Sequence, residues 1–276
     1  MRKKQKKQES MPEKVLSDHT RRDTMKKNDR RNTMYDTCIF DLYGTLVDIR
    51  TDEDKAELWE RLSLFYAYYG AKYTPDELKR SYRRLTEKLT AGHRALRRDS
   101  HEAFPEIRIE EVFQALFAEK GITADEPLVR HAGQFFRILS TEFVRLYEGT
   151  EEMLAAVKKS GRKIYLLSNA QRIFTEYEMN ALGITPYFDG IFISSDESCK
   201  KPDLEFFQKL IDTYGIAPER AVMVGNDGIC DIEGAKRAGL STLYVHSDIS
   251  PEEDAPEADF VLEQTDMERI AEILLS

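Results

Sequence analysis

The feature that most restricts the fold is a short apolar run that ends abruptly at an acidic residue. Residues 37–40 are β-branched, aromatic or small and carry no charge, which is typical of a strand buried on both faces. Asp41 follows directly, and Gly44 indicates a turn three residues later. Open α/β sheets bind ligands beside the carboxyl ends of their parallel strands, so Asp41 is a candidate functional residue. Taken alone, Asp41 would be better explained as a capping residue between strand and loop.

Three later segments repeat this pattern. They end in Ser168-Asn169, in Lys200-Lys201-Pro202-Asp203 and in Asn226-Asp227, with Asp231 following. The ordered set resembles the haloacid dehalogenase (HAD)-like superfamily of aspartate-nucleophile hydrolases, from about Met34 to the C-terminus. One such motif would be weak evidence, whereas four in order, each at the end of a strand, argue strongly against a chance match.

Helical and strand patterns alternate from residue 150 onwards. Strands are expected at 163–168, 191–194, 220–224 and 242–245, separated by helices at 150–160, through 176–182, at 203–214, 228–238 and 265–275. Strict alternation implies a parallel sheet with right-handed crossovers, so we predict an α/β fold with a Rossmann-like core. The ends of distant strands then meet along one edge of the sheet.

The apolar period becomes helical between the first motif and this alternating region. Four helices and no strand are predicted here. The first follows the acids at 52–54, the second opens at Thr74-Pro75, and the third and fourth cover 109–120 and 127–146. In the resembled family, such an insertion is a mobile cap that excludes water and selects the substrate. The predicted domains are an arm at 1–33, a core at 34–48 and 149–276, and a helical-bundle cap at 49–148.

Two groups of residues in the insertion stand out. An aromatic cluster is expected to form the core and rim of the bundle; it comprises Trp59, Phe65, Tyr66, Tyr68 and Tyr69. Residues 90–101 carry three arginines and two histidines, which favours a solvated basic face. The alternative is that one or two of these arginines bind an anionic substrate group.

Residues 1–33 differ in composition from the rest of the chain. They contain twelve Lys or Arg and five acids, about +7, so the remainder carries about −16 for the chain to total −9. Few large apolar residues occur there, which predicts disorder. A start site set too far upstream of Met34 would explain the arm equally well. The acidic remainder argues against a nucleic-acid surface on the folded part.

The cellular context follows from composition. No apolar run approaches the ~20 residues of a membrane helix, so no membrane association is expected. Cys38, Cys199 and Cys230 have no disulfide or metal-site spacing, which fits a reducing cytoplasm. We expect a cytoplasmic monomer or homodimer that binds a small anionic substrate.

The resemblance implies a role for each motif. Asp41 would be the nucleophile that forms a covalent intermediate, and Lys201, rather than Lys200, would neutralise the adjacent negative charges. Phosphoryl oxygens would be bound by donors in the loops, namely Gly44, Thr45, Ser168 and Asn169. Ser168 could also cap the following helix, and the two roles are compatible.

A magnesium site is the second implication of the resemblance. Its ligands would be carboxylate, amide and carbonyl oxygens, completed by water; they are Asp41, the backbone carbonyl of Tyr43, Asn226, Asp227 and Asp231. The family most often has Asp at the position of Asn226. Either Asn226 binds through its amide oxygen or Asp227 takes over, and we favour Asp227.

Tyr43 is the main departure from the phosphatase pattern. Phosphatases of the family usually carry there a second Asp that protonates the leaving alkoxide and later deprotonates water. Tyrosine, with a reference pKa of ~10, is a poor acid–base group near pH 7. The string Asp-x-Tyr-Gly-Thr-Leu looks like the 2-haloacid dehalogenase branch, in which the halide leaves without a proton. The same string also occurs in phosphohydrolase members of the family, and a carboxylate leaving from an acyl phosphate would equally need no acid.

The acids of the fourth motif favour a bound cation, which haloacid dehalogenases do not use. We therefore predict a magnesium-dependent phosphatase that acts on a small soluble phosphoester through an aspartyl-phosphate intermediate. The alternatives are metal-independent dehalogenation and a catalytically weak binding or regulatory protein.

Overall fold

The computed structural model describes residues 34–91, 106–252, 254 and 256–276. The arm at 1–33 and nearly all of the basic stretch at 90–101 lie outside these residues, so the expectations for them stay predictions. Within the described residues, no helix combines the length and apolar composition needed to cross a bilayer. All three cysteines lie within the described residues, and none of them forms a disulfide there.

Eight strands form two sheets in the described residues. The strands are β1 (Thr37–Phe40), β2 (Val47–Thr51), β3 (Thr141–Leu146), β4 (Lys163–Ser168), β5 (Gly190–Ile193), β6 (Ala221–Gly225), β7 (Ser241–Val245) and β8 (Phe260–Leu262). Six of them form a parallel sheet in the order β5-β4-β1-β6-β7-β8. The predicted parallel α/β fold is confirmed, with β1 and β4 at their predicted bounds. Strand β8 was not predicted, because three residues are too few to show a period.

The α-helices of the described residues lie in the insertion, between the strands of the parallel sheet and after its last strand. They are α1 (Ala56–Tyr68), α2 (Pro75–Ala91), α3 (Ile109–Ala118), α4 (Glu126–Ser140), α5 (Thr150–Lys159), α6 (Arg172–Ala181), α7 (Ser194–Glu197), α8 (Leu204–Tyr214), α9 (Gly234–Arg237) and α10 (Met267–Leu275). A π-helical turn at Gly228–Glu233 precedes α9. The helical segment predicted at 228–238 is therefore present, but its first part is π-helical and α9 begins only at Gly234.

Strand β1 is apolar throughout because both of its faces are buried. Cys38 and Phe40 pack into one apolar cluster with α5 and α10, whereas Ile39 packs into a second cluster with α8. Full burial of a large apolar side chain stabilises the fold by roughly 1.5–3 kcal/mol. In the ladder, Phe40 lies opposite Leu166 of β4 and Val224 of β6. The residues that follow these three strands therefore reach the same edge of the sheet.

Helices α1 to α4 share an apolar cluster of their own. Trp59 and Tyr66 are buried in it, and the Tyr66 hydroxyl donates to the carbonyl of Phe113. Tyr68, in contrast, is 84% exposed. The expectation that the aromatic cluster forms core and rim is confirmed.

The fourth helix predicted at 127–146 is present as α4, but its predicted end and the expectation of an insertion without a strand were wrong. Helix α4 ends at Ser140, where the hydroxyls of Ser140 and Thr141 both donate to the carbonyl of Arg137. The chain continues as β3, which pairs antiparallel with β2 where the insertion begins. Residues 141–146 contain β-branched and aromatic residues that suit a strand. Their partner is far away in sequence, so local periodicity could not reveal the pairing.

Candidate active site

The strand ends converge on a pocket of about 230 Å³. Its lining residues are Asp41, Tyr43, Ser168, Asn169, Lys201, Asn226, Asp227, Cys230, Asp231 and Ile249. Residues from all four motifs therefore meet in one place, although they are far apart in sequence. A larger groove of about 660 Å³ is lined by charged residues of α3, α4 and α6 and by none of these side chains.

Lys201 lies between two carboxylates at the centre of the pocket. Its Nζ donates to Oδ1 of Asp41 and to Oδ1 of Asp231, each at 2.6 Å. The lysine side chain is only 2% exposed. Burial alone would lower the pKa of Lys201, but the two carboxylates outweigh burial and raise that pKa. Lys201 is therefore a fixed cation beside Asp41.

Asp231 is the more deeply buried of the two acids, at 1% exposure. Its Oδ2 accepts from the backbone N–H of Asp227 at 3.0 Å. Burial raises the pKa of Asp231 to about 7; Lys201 opposes this shift, whereas Asp41 and Asp227 add to it. A cation beside Asp231 is therefore needed to keep the buried carboxylate charged.

Asn169 holds the backbone of Lys201 in place. The N–H of Lys201 donates to Oδ1 of Asn169 at 2.8 Å, and Nδ2 of Asn169 donates to the Lys201 carbonyl at 2.9 Å. The predicted role of Asn169 is to bind phosphoryl oxygens, and this paired contact gives it a positioning role as well. Ser168, at the end of β4, lines the pocket and is buried.

Asn226 joins two loops above the end of β6. Thr45 Oγ1 donates to Oδ1 of Asn226 at 3.3 Å, and Nδ2 of Asn226 donates to the hydroxyl of Ser247 at 3.4 Å. Asp227 caps the π-helical turn, because its Oδ1 accepts from the N–H groups of Ile229 and Cys230. Both Asn226 and Asp227 line the pocket, so both remain candidate metal ligands.

The donor set of the pocket suits magnesium. The predicted ligands offer carboxylate, amide and carbonyl oxygens, which are the hard ligands that Mg²⁺ prefers. In the described ranges, no three His, Cys, Asp or Glu side chains are grouped so as to hold a metal ion by themselves. A bound Mg²⁺ would therefore draw on Asn226, on the carbonyl of Tyr43 or on water to complete its coordination.

Gly44 occupies a backbone conformation that only glycine adopts readily. Its φ is +85°, and a Cβ placed there would lie 2.4 Å from Nδ2 of Asn226. The turn at Gly44 thus brings the nucleophile loop into close contact with the fourth motif.

We expect Gly44→Ala to destabilise the fold by about 2 kcal/mol or more, since the φ penalty of about 1–2 kcal/mol adds to the steric overlap. Gly121→Ala is the matched control, because Gly121 also has a positive φ, +75°, but no atom within 4 Å of the added Cβ. It should cost about 1–2 kcal/mol and leave activity intact. Urea denaturation of the two variants measures the difference, and equal losses would contradict the close contact at Asn226.

The hydroxyl of Tyr43 is bound by two side chains of α6. The hydroxyl donates to Oε2 of Glu178 at 2.6 Å and lies 3.0 Å from Oγ1 of Thr175. Glu178 in turn accepts from Nε of Arg137 of α4 at 2.6 Å. Burial raises the pKa of Tyr43, and the adjacent Glu178 raises it further while Arg137 opposes the shift. The phenol therefore stays protonated at neutral pH.

Several of these contacts were missed in the sequence. Glu178 and Thr175 lie on the buried face of α6. Charged residues are rarely buried without a partner, so Glu178 on this apolar face was a signal in the sequence that could have indicated a buried contact. Ile249, which lines the pocket from the loop after β7, carried no signal beyond its position after a strand.

A parallel α/β sheet with an acid–lysine–acid cluster at the carboxyl edge of its strands is the architecture of a Rossmann-like enzyme. A family model for haloacid dehalogenase-like hydrolases matches residues 35–239, well over half of the chain. The chain therefore belongs to this family of hydrolases.

Curated relatives and solved structures are similar to this chain over different lengths. A phosphoserine phosphatase from Thermus thermophilus is 32% identical over 149 residues, which cover 54% of this chain and 58% of that protein. The chain thus spans little more than half the length of this relative.

Two solved structures share the fold. The HAD-hydrolase YfnB from Bacillus subtilis, bound to magnesium, is 22% identical with a TM-score of 0.50, over 87% of this chain and 98% of that chain. L-2-haloacid dehalogenase from Xanthobacter autotrophicus is 20% identical with a TM-score of 0.51, over 87% and 98% of the two chains. Because a phosphatase is among the relatives and a dehalogenase among the similar structures, the chemistry has to be argued from the residues.

Proposed function

We propose that this protein is a magnesium-dependent phosphatase that acts on a small soluble phosphoester through an aspartyl-phosphate intermediate. The observation that carries the proposal is the contact of Asp41 with the buried ammonium of Lys201 in a pocket that is also lined by Asn226, Asp227 and Asp231. The similarity to a phosphoserine phosphatase supports the same chemistry.

The reaction begins when a carboxylate oxygen of Asp41 attacks phosphorus in line with the leaving group. Lys201 offsets the repulsion between the carboxylate and the phosphoryl group. Asn169 fixes the backbone of Lys201, and Asp231 fixes its ammonium group. The hydroxyl of Ser168, which lines the pocket, is the candidate donor to phosphoryl oxygens, whereas the predicted donor Thr45 is buried and its hydroxyl donates to Asn226. Water then cleaves the aspartyl phosphate and regenerates Asp41. A bound Mg²⁺ would supply further neutralisation of the phosphoryl charge.

Dehalogenation is the second candidate, and Tyr43 is the residue that favours it. Its phenol is hydrogen-bonded to Glu178, so it is not directed at a leaving group in the pocket. A halide departs without a proton and would need no such donor. The same carboxylate and lysine could serve that reaction.

Phosphate release with and without metal separates the two candidates. We expect the full chain to release phosphate from small phosphate monoesters with Mg²⁺, and to lose at least about 10²-fold in rate when EDTA removes the ion, because a metal supplies several kcal/mol of charge stabilisation. Mg²⁺ should also raise the melting temperature, since it would bind the folded state.

Halide release from 2-chloropropionate without metal would assign the dehalogenase reaction instead. Stabilisation by Mg²⁺ without release of phosphate or halide would indicate the binding or regulatory alternative. Either result would overturn the phosphatase proposal.

A further inference from the structure

Among the described residues of the pocket, both oxygens of the buried Asp231 act as acceptors, from Lys201 and from the N–H of Asp227, so this acid is not placed to donate a proton to a leaving group. A phosphate ester of an ordinary alcohol leaves as a strongly basic alkoxide, which a positioned acid normally protonates. Tyr43 lies two residues after the nucleophile and lines the pocket with it, whereas the Ser168 hydroxyl is the candidate donor to phosphoryl oxygens, so the contacts of Tyr43 bear on what can leave.

The hydroxyl proton of Tyr43 is used in a hydrogen bond to Oε2 of Glu178, at 2.6 Å. Because that proton is used, Thr175 is the donor in its 3.0 Å contact with the phenolic oxygen of Tyr43. Glu178 is fixed in turn by two contacts from Arg137, at 2.6 and 3.2 Å. The Arg137 side chain also lies over the ring of Tyr43, 5.7 Å from its centroid.

Side chains from two helices hold the phenol of Tyr43 in place. Glu178 and Thr175 belong to α6, and Arg137 belongs to α4 in the insertion. The Arg137–Glu178 pair is largely buried, with side chains 17% and 8% exposed. Turning the hydroxyl toward Asp41 would break its 2.6 Å hydrogen bond to a buried carboxylate and leave Oε2 of Glu178 with the longer 3.2 Å contact from Arg137, which is unfavourable. Tyr43 is therefore a positioning residue that links the nucleophile loop to the insertion.

Lys201 also carries protons beside Asp41, but they are used in contacts with two carboxylates. Lys201 donates to Asp41 and Asp231 at 2.6 Å each. Transfer of its proton to an alkoxide would leave two buried carboxylates without their cation, which is strongly unfavourable. The leaving group therefore has to depart as an anion that is stable by itself.

We propose that the pocket selects phosphoryl substrates with weakly basic leaving groups, above all small acyl phosphates, and discriminates against alkyl phosphates. This inference rests on the proposed phosphatase function. A phosphoanhydride would also have a weakly basic leaving group, but its additional phosphoryl charge would lie against Asp227 and Asp231. A single carboxylate leaving group adds less negative charge to a pocket of about 230 Å³.

Neither of the two steps of the reaction needs an acid to protonate the leaving group. Asp41 forms a bond to phosphorus as the bond between phosphorus and the acyl oxygen breaks, and the carboxylate departs with the electron pair. Water then attacks phosphorus, the bond to Asp41 breaks with its electron pair on the regenerated carboxylate, and both protons of the water leave on the phosphate as dihydrogen phosphate. No external proton donor enters either step.

The test compares leaving groups that differ in basicity and little in size. Phenyl phosphate and 4-nitrophenyl phosphate form such a pair, with acetyl phosphate and glycerol phosphate as the acyl and alkyl representatives. We expect kcat/KM to be at least about tenfold higher for the nitrophenyl ester than for the phenyl ester. The acyl phosphate should exceed the alkyl phosphate by about 10²–10⁴-fold, the usual contribution of a general acid.

Tyr43→Phe keeps the ring and removes the hydroxyl. If Tyr43 only positions the loop, the variant shifts the rates for all four substrates together and leaves their ratios unchanged. A selective loss with phenyl and glycerol phosphate would identify Tyr43 as the proton donor and overturn the inference. Equal kcat/KM for the two aryl esters in the unaltered protein would overturn it as well. Absence of phosphate release from every substrate would instead refute the phosphatase function on which the inference rests.

Discussion

Asp41→Asn is expected to lower kcat for phosphate release by at least about 10³-fold, in the range found when a nucleophile is removed. The amide cannot form the acyl phosphate, so turnover stops at the bound substrate. The fold should persist, because the side chain keeps its shape and the N–H of residue 41 still donates to the Val224 carbonyl. Lys201 would also retain its contact with Asp231.

Asp36→Asn is the matched control for this substitution. Asp36 precedes β1, is about half exposed, and pairs with Arg220 at the surface. Surface pairs of this kind contribute about 0–1 kcal/mol, so activity and stability should be nearly unchanged. Intact-mass measurement after mixing with acetyl phosphate should detect one added phosphoryl group on the unaltered protein and on Asp36→Asn, but not on Asp41→Asn. Retained turnover in Asp41→Asn would remove the nucleophile assignment.

The positions of the motifs could be predicted because they depend on local sequence and on one topological rule. Residues 37–40 and 163–168 are apolar runs with clear ends, and both form strands with the predicted bounds. Once the sheet is parallel, the ends of β1, β4 and β6 have to lie on the same edge. Convergence of Asp41 and Asp227 on one pocket follows from these two facts.

The details that decide the chemistry depend on contacts between segments far apart in sequence. No local pattern reports that the Tyr43 hydroxyl binds Glu178, or that Asn169 uses both ends of its amide on Lys201. The pairing of β2 with β3 was hidden for the same reason. Side-chain type predicts what a residue is able to do, whereas its partners determine which of those roles it takes.

Lys201→Met is expected to affect stability and activity together. Methionine is unbranched and similar in length, so the shape of the pocket is preserved while the ammonium is lost. The carboxylates of Asp41 and Asp231, both buried, would then have no cation between them. Removal of one partner from a buried charge cluster costs about 3–5 kcal/mol. The rate should fall by about 10²–10³-fold, because a fixed charge at the reacting group is lost.

Lys209→Met provides the comparison that separates this buried charge from an ordinary surface lysine. Lys209 is 35% exposed and pairs with Glu205 at 3.3 Å, so its loss should cost no more than about 1 kcal/mol and leave the rate unchanged. Guanidinium denaturation and phosphate release, measured on both variants, give the two comparisons. If the two variants lost equal stability, the buried cluster could not depend on Lys201 for its charge balance. If Lys201→Met kept its rate, the lysine would hold the fold together without assisting the attack of Asp41.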